Sequence, residues 1–334
     1  MKPLALGDMA RSHALKQNSS KLKRQLTSLQ QELISGRVND QLRHTGGDAA
    51  LLSSLRQSLS VSAINKANST VVSTFLNGQQ EVLTRISDIV QDRAGYLIRP
   101  ELYPTDDQLP QAIERVRSAL SDITTLLNTK IAGKSIFAGS KSDTPALRDV
   151  DTMISAIVST IPVGADYAAI DQIISDWFAP GGGFEVNDYL GSPEKTGAIP
   201  LGNGYNLRLE LTADDSAIRS ILAELAKGAV LKQGLLATEP AQQRELLQNI
   251  GSNLLSAASA FRNTQENIGL KQAYTENARS EAQAQHATSE MALNSLLAVD
   301  EYDVASRLQD AMARLDKIYL LTARLSRLSL SEYL

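Results

Sequence analysis

The sequence predicts a mainly α protein, an elongated bundle of long helices with paired N- and C-terminal helices and a small α/β insert domain in the middle of the chain. Three observations predict it. After Pro240 there is no proline and only two glycines, Gly251 and Gly269, while apolar residues recur at three- and four-residue steps. Leucine stripes of the same period occupy the opposite end of the chain. Between them, residues 134–211 gather nine of the twenty glycines, five of the ten prolines and seven of the fifteen aromatics, Trp177 among them.

Composition narrows the function classes. Apolar residues make up 43% of the 334, enough for a core, yet aromatics are only 4%, which suits rods that pack Leu and Ala against one another. A net charge of −4 gives no bulk attraction to nucleic acid or anionic membrane. Cysteine is absent, so disulfides and thiolate sites are excluded. The start, Met1 to Asp8, lacks the apolar run of a signal peptide, and no later stretch is apolar enough to span a bilayer. Export by a Sec-type route is therefore not expected.

Taken in order, Met1 to Asp8 reads as a flexible arm. From about Ala10 to Ile34 the stripe Leu15, Leu22, Leu26, Leu29 and Leu33 predicts an amphipathic helix whose apolar face is too narrow for it to be stable alone. Ser35-Gly36-Arg37 and Thr45-Gly46-Gly47-Asp48 bracket an irregular break. A second helical run extends from Ala49 to about Ala94, with Gly78 a potential weak point and Gly95, Pro100 and Pro104 as stops. Thr105-Asp106-Asp107 caps a third run, expected to reach Ile131. In the insert, helices are expected near 150–161 and 167–177, and strands around Phe184 to Val186 and at Tyr205 to Leu211, which alternates with period two.

Asp214 or Asp215 then caps a helix to about Leu231, and Thr238-Glu239-Pro240 opens a rod of about 58 residues, roughly 87 Å long. Such a rod cannot bury its seam on itself and needs a helix beside it or other copies of the chain. Asp300, Glu301 and Asp303 mark a last helix start. From there Ala305, Leu308, Met312, Leu315, Tyr319 and Thr322 step as a narrow heptad seam, typical of a coiled coil. Leu325, Leu328, Leu330 and Leu334 keep the chain apolar to its final residue, where chains usually turn polar. The domain organisation expected is 1–46 as a terminal assembly helix paired with 300–334, a helical rod over 47–133 and 213–299, and the insert at 134–212. The assembly interface is placed on Leu15, Leu22, Leu26, Leu29, Leu33, Ala305, Leu308, Met312, Leu315, Tyr319, Leu325, Leu328, Leu330 and Leu334.

Catalytic chemistry finds little support. Gly133-Lys134-Ser135 mimics the end of a phosphate-binding loop, but Asn128 stands where that motif needs its first glycine. His13, His44 and His286 fall in separate elements, so no metal site or catalytic triad is expected. The pairs Asp106-Asp107 and Asp214-Asp215 are explained by helix capping rather than acid/base work. Residues 1–46 carry eight basic and three acidic groups, but without interleaved aromatics these form a solvated face rather than a nucleic-acid site. Neither an enzyme nor a bound cofactor is expected.

Three stretches carry a family resemblance. Leu29 to Asn39 (LQQELISGRVN) resembles the helix-to-turn break of the flagellin family. Lys134 to Pro145 (KSIFAGSKSDTP) and the terminal LSRLSLSEYL are similar to the corresponding stretches of that family's hook–filament junction branch. The double aspartate that the family places in the N-terminal turn is reduced here to Gly47-Asp48-Ala49. The resemblance implies a structural subunit of the bacterial flagellum that joins hook to filament by polymerising through its terminal helices. Its partners would be further copies in a ring, a hook-side junction protein, flagellin and a cytoplasmic export chaperone, with no nucleic acid and no membrane. It would act outside the cell after export through the flagellar type III apparatus. A minor flagellin is the alternative, with a type III secretion needle or tip protein ranked behind it.

Overall fold

A computed structural model describes residues 4–103, 105–194 and 196–331. The fold is mainly α, as the helical periodicities predict. Its helices are α1 (Leu4–Ser35), α2 (Gln41–His44), α3 (Ala49–Leu97), α4 (Leu109–Leu127), α5 (Val150–Thr160), α6 (Tyr167–Trp177), α7 (Ser216–Ala229), α8 (Pro240–Leu297) and α9 (Glu301–Ser331). Two antiparallel hairpins complete it, β1 (Lys130–Ile131) with β2 (Lys134–Ser135), and β3 (Ile199–Gly202) with β4 (Tyr205–Leu207). The chain divides into two compact units, one of residues 1–63 with 283–334 and one of residues 64–282, and α3 and α8 contribute to both.

The unit 64–282 holds the larger core. Helix α4 turns Leu109, Ile113, Val116, Leu120, Ile123 and Leu127 to one side, all buried, because they recur at the helical period. Against it α7 brings Ile218, Ile221, Leu222 and Leu225, also buried. The two helices approach closely where Gly228 meets Val116: a Cβ there would lie 2.6 Å from Val116 Cγ1. Asp215 caps α7 through the Ala217 N–H at 3.0 Å, while Asp214 pairs with Arg219 at 3.5 Å.

The segment Ile136–Gly139 threads this core. Phe137 is fully buried. The Ile136 carbonyl accepts the Gln79 amide at 2.7 Å, the Phe137 carbonyl accepts the Ala213 N–H at 2.9 Å, and the Ala138 carbonyl accepts the Ser192 N–H at 3.0 Å. Gly139 adopts φ +62°, and a Cβ there would fall 2.6 Å from the Ser192 carbonyl oxygen, so only glycine fits.

Several boundaries differ from the sequence-based expectations. Helix α1 begins at Leu4, so most of the expected flexible arm is helical. Gly95 does not stop α3, which continues to Leu97, a fully buried residue whose carbonyl accepts the Tyr103 hydroxyl. Gly78 does not interrupt α3 either. It makes room for the first hairpin, since a Cβ there would meet Ile131 Cδ1 at 2.3 Å. Helix α4 ends at Leu127 rather than Ile131, because the Asn128 side chain clamps the Leu147 backbone, donating to its carbonyl at 2.9 Å and accepting its N–H at 2.8 Å. Gly133-Lys134-Ser135 belongs to a tight hairpin with Ala132 and Gly133 at positive φ. Thr105 makes no capping bond, and Asp106 pairs instead with Arg244 at 3.0 Å.

The expected strand at Phe184 to Val186 is a single π-helical turn, Phe184–Asp188. The turn swings Phe184 inward to stack on Phe178 at 4.9 Å between centroids, and Gly183 lies against the Trp177 ring. Of the expected strand 205–211, only Tyr205–Leu207 pairs, with Ile199–Gly202. At the close of the π-turn Asp188 is fully buried, and its Oδ2 accepts the Trp177 indole N–H at 2.9 Å. Burial pushes this carboxyl above its ordinary value, with the Trp177 bond and Arg148 pulling the other way. A raised folded-state value means that the native state holds the proton more tightly than the unfolded chain. Asp188→Asn, which keeps the acceptor for Trp177, is therefore expected to be more stable than the parent at neutral pH. That advantage should shrink as pH falls through the raised value toward 3.8, the ordinary carboxyl value. Urea melts of both proteins between neutral and acid pH check this.

Candidate assembly interface

The unit of residues 1–63 and 283–334 brings the two terminal helices side by side. Helix α1 contributes Leu22, Leu26 and Leu29, and α9 contributes Val304, Leu308 and Ala311, joined by Val299 from the connection between α8 and α9. Among the described side chains of this seam, Leu29, Val304 and Ala311 are buried outright, at 2%, 3% and 2% exposure. Over those side chains this is a thin seam for helices of 32 and 31 residues. Long helices of that kind depend on packing rather than propensity, so the seam sets their stability.

Both chain corners are pinned to one another. Arg37 and Ala298 form an antiparallel bridge. The Val38 N–H donates to the Leu297 carbonyl at 2.9 Å, and the Val299 N–H donates to the Gly36 carbonyl at 3.1 Å. Gly36 takes φ +66° to make this turn, a conformation that favours glycine. Arg37 also donates to Asn294 Oδ1. Buried Glu32 accepts the Asn39 N–H at 3.1 Å, and the Asn39 amide donates to Ser28 at 2.9 Å. On α9 the first turn is capped by Asp300, which accepts the Tyr302 and Asp303 N–H groups at 3.0 and 3.2 Å. The Leu29 to Asn39 stretch is thus a fastened corner.

The expected interface residues divide into four groups. Leu22, Leu26, Leu29 and Leu308 meet in the seam. Leu15, Ala305 and Leu315 are half-buried. Leu33, Met312 and Tyr319 stay 37%, 42% and 47% exposed, with the Lys23 ammonium 5.7 Å from the Tyr319 ring centroid. The side chains of Leu325, Leu328 and Leu330, and Leu334 altogether, lie outside the described residues. Val304, Ala311 and Ile318, which the sequence reading missed, lie one residue before the expected 305/312/319 positions. They turn with Leu308 and Leu315 toward burial. Tyr302, Leu320, Leu321 and Ile34 add further exposed apolar surface to the two helices.

A shallow groove of about 480 Å³ in the unit 64–282 is lined by Ser175, Phe178, Arg219, Glu224 and Asn253 among others. The two carboxyls raised by burial, Asp188 and Asp214, do not line it. Among the described residues no cluster of His, Asp and Glu could hold a metal ion, and no helix is long and apolar enough to cross a membrane.

No family model matches the chain, and no curated protein matches it. Among solved structures it is similar to a "putative flagellar hook-associated protein" from Vibrio parahaemolyticus, at 17% identity over 72% of this chain and 95% of that one, TM-score 0.41. It is also similar to FlgL of Bacillus cereus, at 13% identity over 73% of this chain and 96% of that one, TM-score 0.39.

Proposed function

We propose that the chain is a structural, non-enzymatic subunit of the bacterial flagellum that joins hook to filament. Its terminal helices polymerise with those of neighbouring copies. One observation carries the reading: α1 and α9 close on each other through a thin seam while Leu33, Ile34, Met312, Tyr319, Leu320 and Leu321 remain exposed on the same helices. Exposed apolar surface of this kind marks a contact with something else, and identical subunits in a ring supply it. The Leu29 to Asn39 corner and the Lys134 to Pro145 stretch, both similar to the flagellin family, support the assignment. On this reading the subunit leaves the cell through the flagellar type III apparatus with a cytoplasmic chaperone, and sits between a hook-side junction protein and flagellin. The exposed stripe would serve a minor flagellin equally well, which makes that the second reading.

A deletion strain separates the two. Loss of a junction subunit releases flagellin monomers into the medium while hooks remain on the cell. Loss of a minor flagellin leaves filaments attached and shortened. Intact filaments of normal length on every cell would overturn both.

A further inference from the structure

We propose that the hairpin of residues 199–207 is a clasp that holds α3 and α8 together over 65–69 and 274–282, and that hairpin and helix segments open as one unit when it lets go. The hairpin grips both helices by polar contacts. On the α3 side, the Asn68 amide donates to the Pro200 carbonyl at 2.9 Å, and Gly202 is seated so closely that a Cβ would fall 2.3 Å from Asn65 Nδ2. On the α8 side, Glu281 is the catch. One of its oxygens accepts the Tyr205 hydroxyl at 3.0 Å and the other accepts the Asn203 amide at 3.1 Å. Tyr274 completes the grip, its hydroxyl accepting the Asn206 N–H at 3.3 Å and its ring tilted against that of Tyr205 at 4.8 Å.

The tip is built for this contact at a conformational cost. Gly202, Asn203 and Gly204 all take positive φ, and Asn203, the one with a side chain, is at +48°. Left-handed backbone at a non-glycine residue persists where surrounding contacts hold it. Here the Asn203 side chain is spent on Glu281.

What lies between the helices at this level explains why a clasp is needed. The buried positions within 65–69 and 274–282 are Ser69 and Thr275, both fully buried, with Ala278 and Ala282 at 2% and 5% exposure. These side chains bury little apolar area, and the Ser69 hydroxyl has no hydrogen-bond partner. The direct tie across the helices is polar too, the Gln272 amide donating to Asn77 at 2.7 Å. Farther along α3 the buried residues include Val72, Leu76, Leu83, Ile86 and Val90, a far stronger seam. Exposed polar contacts are individually weak, so the clasp is reversible, and a stretch with a small, polar core is where local opening concentrates.

Hydrogen–deuterium exchange of the full-length protein tests this, comparing the parent with Glu281→Ala and Glu281→Gln. For Glu281→Ala, amides at 65–69, 274–282 and 202–207 are expected to exchange at least about tenfold faster together, while 109–127 and 216–229 keep parental rates. Glu281→Gln, which retains one acceptor oxygen, should fall between. Faster exchange confined to 202–207 would overturn the proposal, since the hairpin would then be an ornament on helices that hold without it. Unchanged rates throughout would overturn it as well, and so would uniform acceleration that includes 109–127, which would reveal general destabilisation instead of a local opening.

Discussion

On the proposed function, Leu308→Asp is expected to stop swimming and to keep the subunit out of the flagellum, while the unit 64–282 stays folded. Leu308 packs beside Leu22, Leu26 and Leu29 in a seam whose fully buried members are Leu29, Val304 and Ala311. Fully burying one leucine contributes about 1.5–3 kcal/mol, of which the partly buried Leu308 contributes a share, and desolvating a carboxylate in its place adds a further cost. The seam has few other residues to offset the loss, and a 31-residue helix with a narrow apolar face is marginal without a partner. Detachment of α9 from α1 should follow, read as a loss of helical circular dichroism at constant melting of the remaining structure.

Met312→Asp and Tyr319→Asp make the sharper comparison. These side chains are 42% and 47% exposed, so the charge is solvated and the subunit's own helix pair should keep its full helical signal. On the proposed function they face neighbouring copies, and motility is expected to fall as far as with Leu308→Asp. A strain carrying Met312→Asp that swims normally would show that the exposed stripe is idle surface. Normal swimming with Leu308→Asp would count against any assembly role for the terminal helices.

How far each element could be read in advance follows from what ends it or faces it. The long helices were legible because leucines and isoleucines recur every three or four residues and the breakers Pro240, Gly36 and Gly47 stand at their ends. The end of α4 was not: the apolar pattern runs on through Leu127 to Ile131, and the side chain that stops it, Asn128, bonds to Leu147, 19 residues away. Phe184-Glu185-Val186 alternates as a strand would, yet Phe178 beneath it and the glycines before it wind the segment into a turn. In the terminal seam, Leu308 and Leu315 belong to two overlapping heptad patterns, one through 305, 312 and 319 and the other through 304, 311 and 318. Sequence spacing treats them alike. The position of α1 decides between them, and it turns Val304 and Ala311 inward.

Phe137→Ala should be the most damaging single change in the unit 64–282, lowering its stability by about 3–5 kcal/mol. Phe137 is fully buried, and so are Ala138, Leu120 and Leu147, members of the same core. The backbone around it cannot retreat to fill the void: its own carbonyl is held by Ala213, the preceding one by Gln79 and the following one by Ser192. Gly139, wedged against the Ser192 carbonyl, blocks a shift in the remaining direction. A cavity in a frame tied on three sides collapses less than one in a loose frame, which places the cost high in the usual range. Total stabilities of about 5–15 kcal/mol make this about a fifth or more of what the unit has. Urea denaturation monitored by Trp177 fluorescence measures it, because Trp177 belongs to the same core through Asp188 and the Gly183 turn. Phe137→Leu, which refills most of the volume, should recover the larger part. A loss below about 1 kcal/mol for Phe137→Ala would mean that the Ile136–Gly139 segment is held by its hydrogen bonds alone and that the ring contributes little packing.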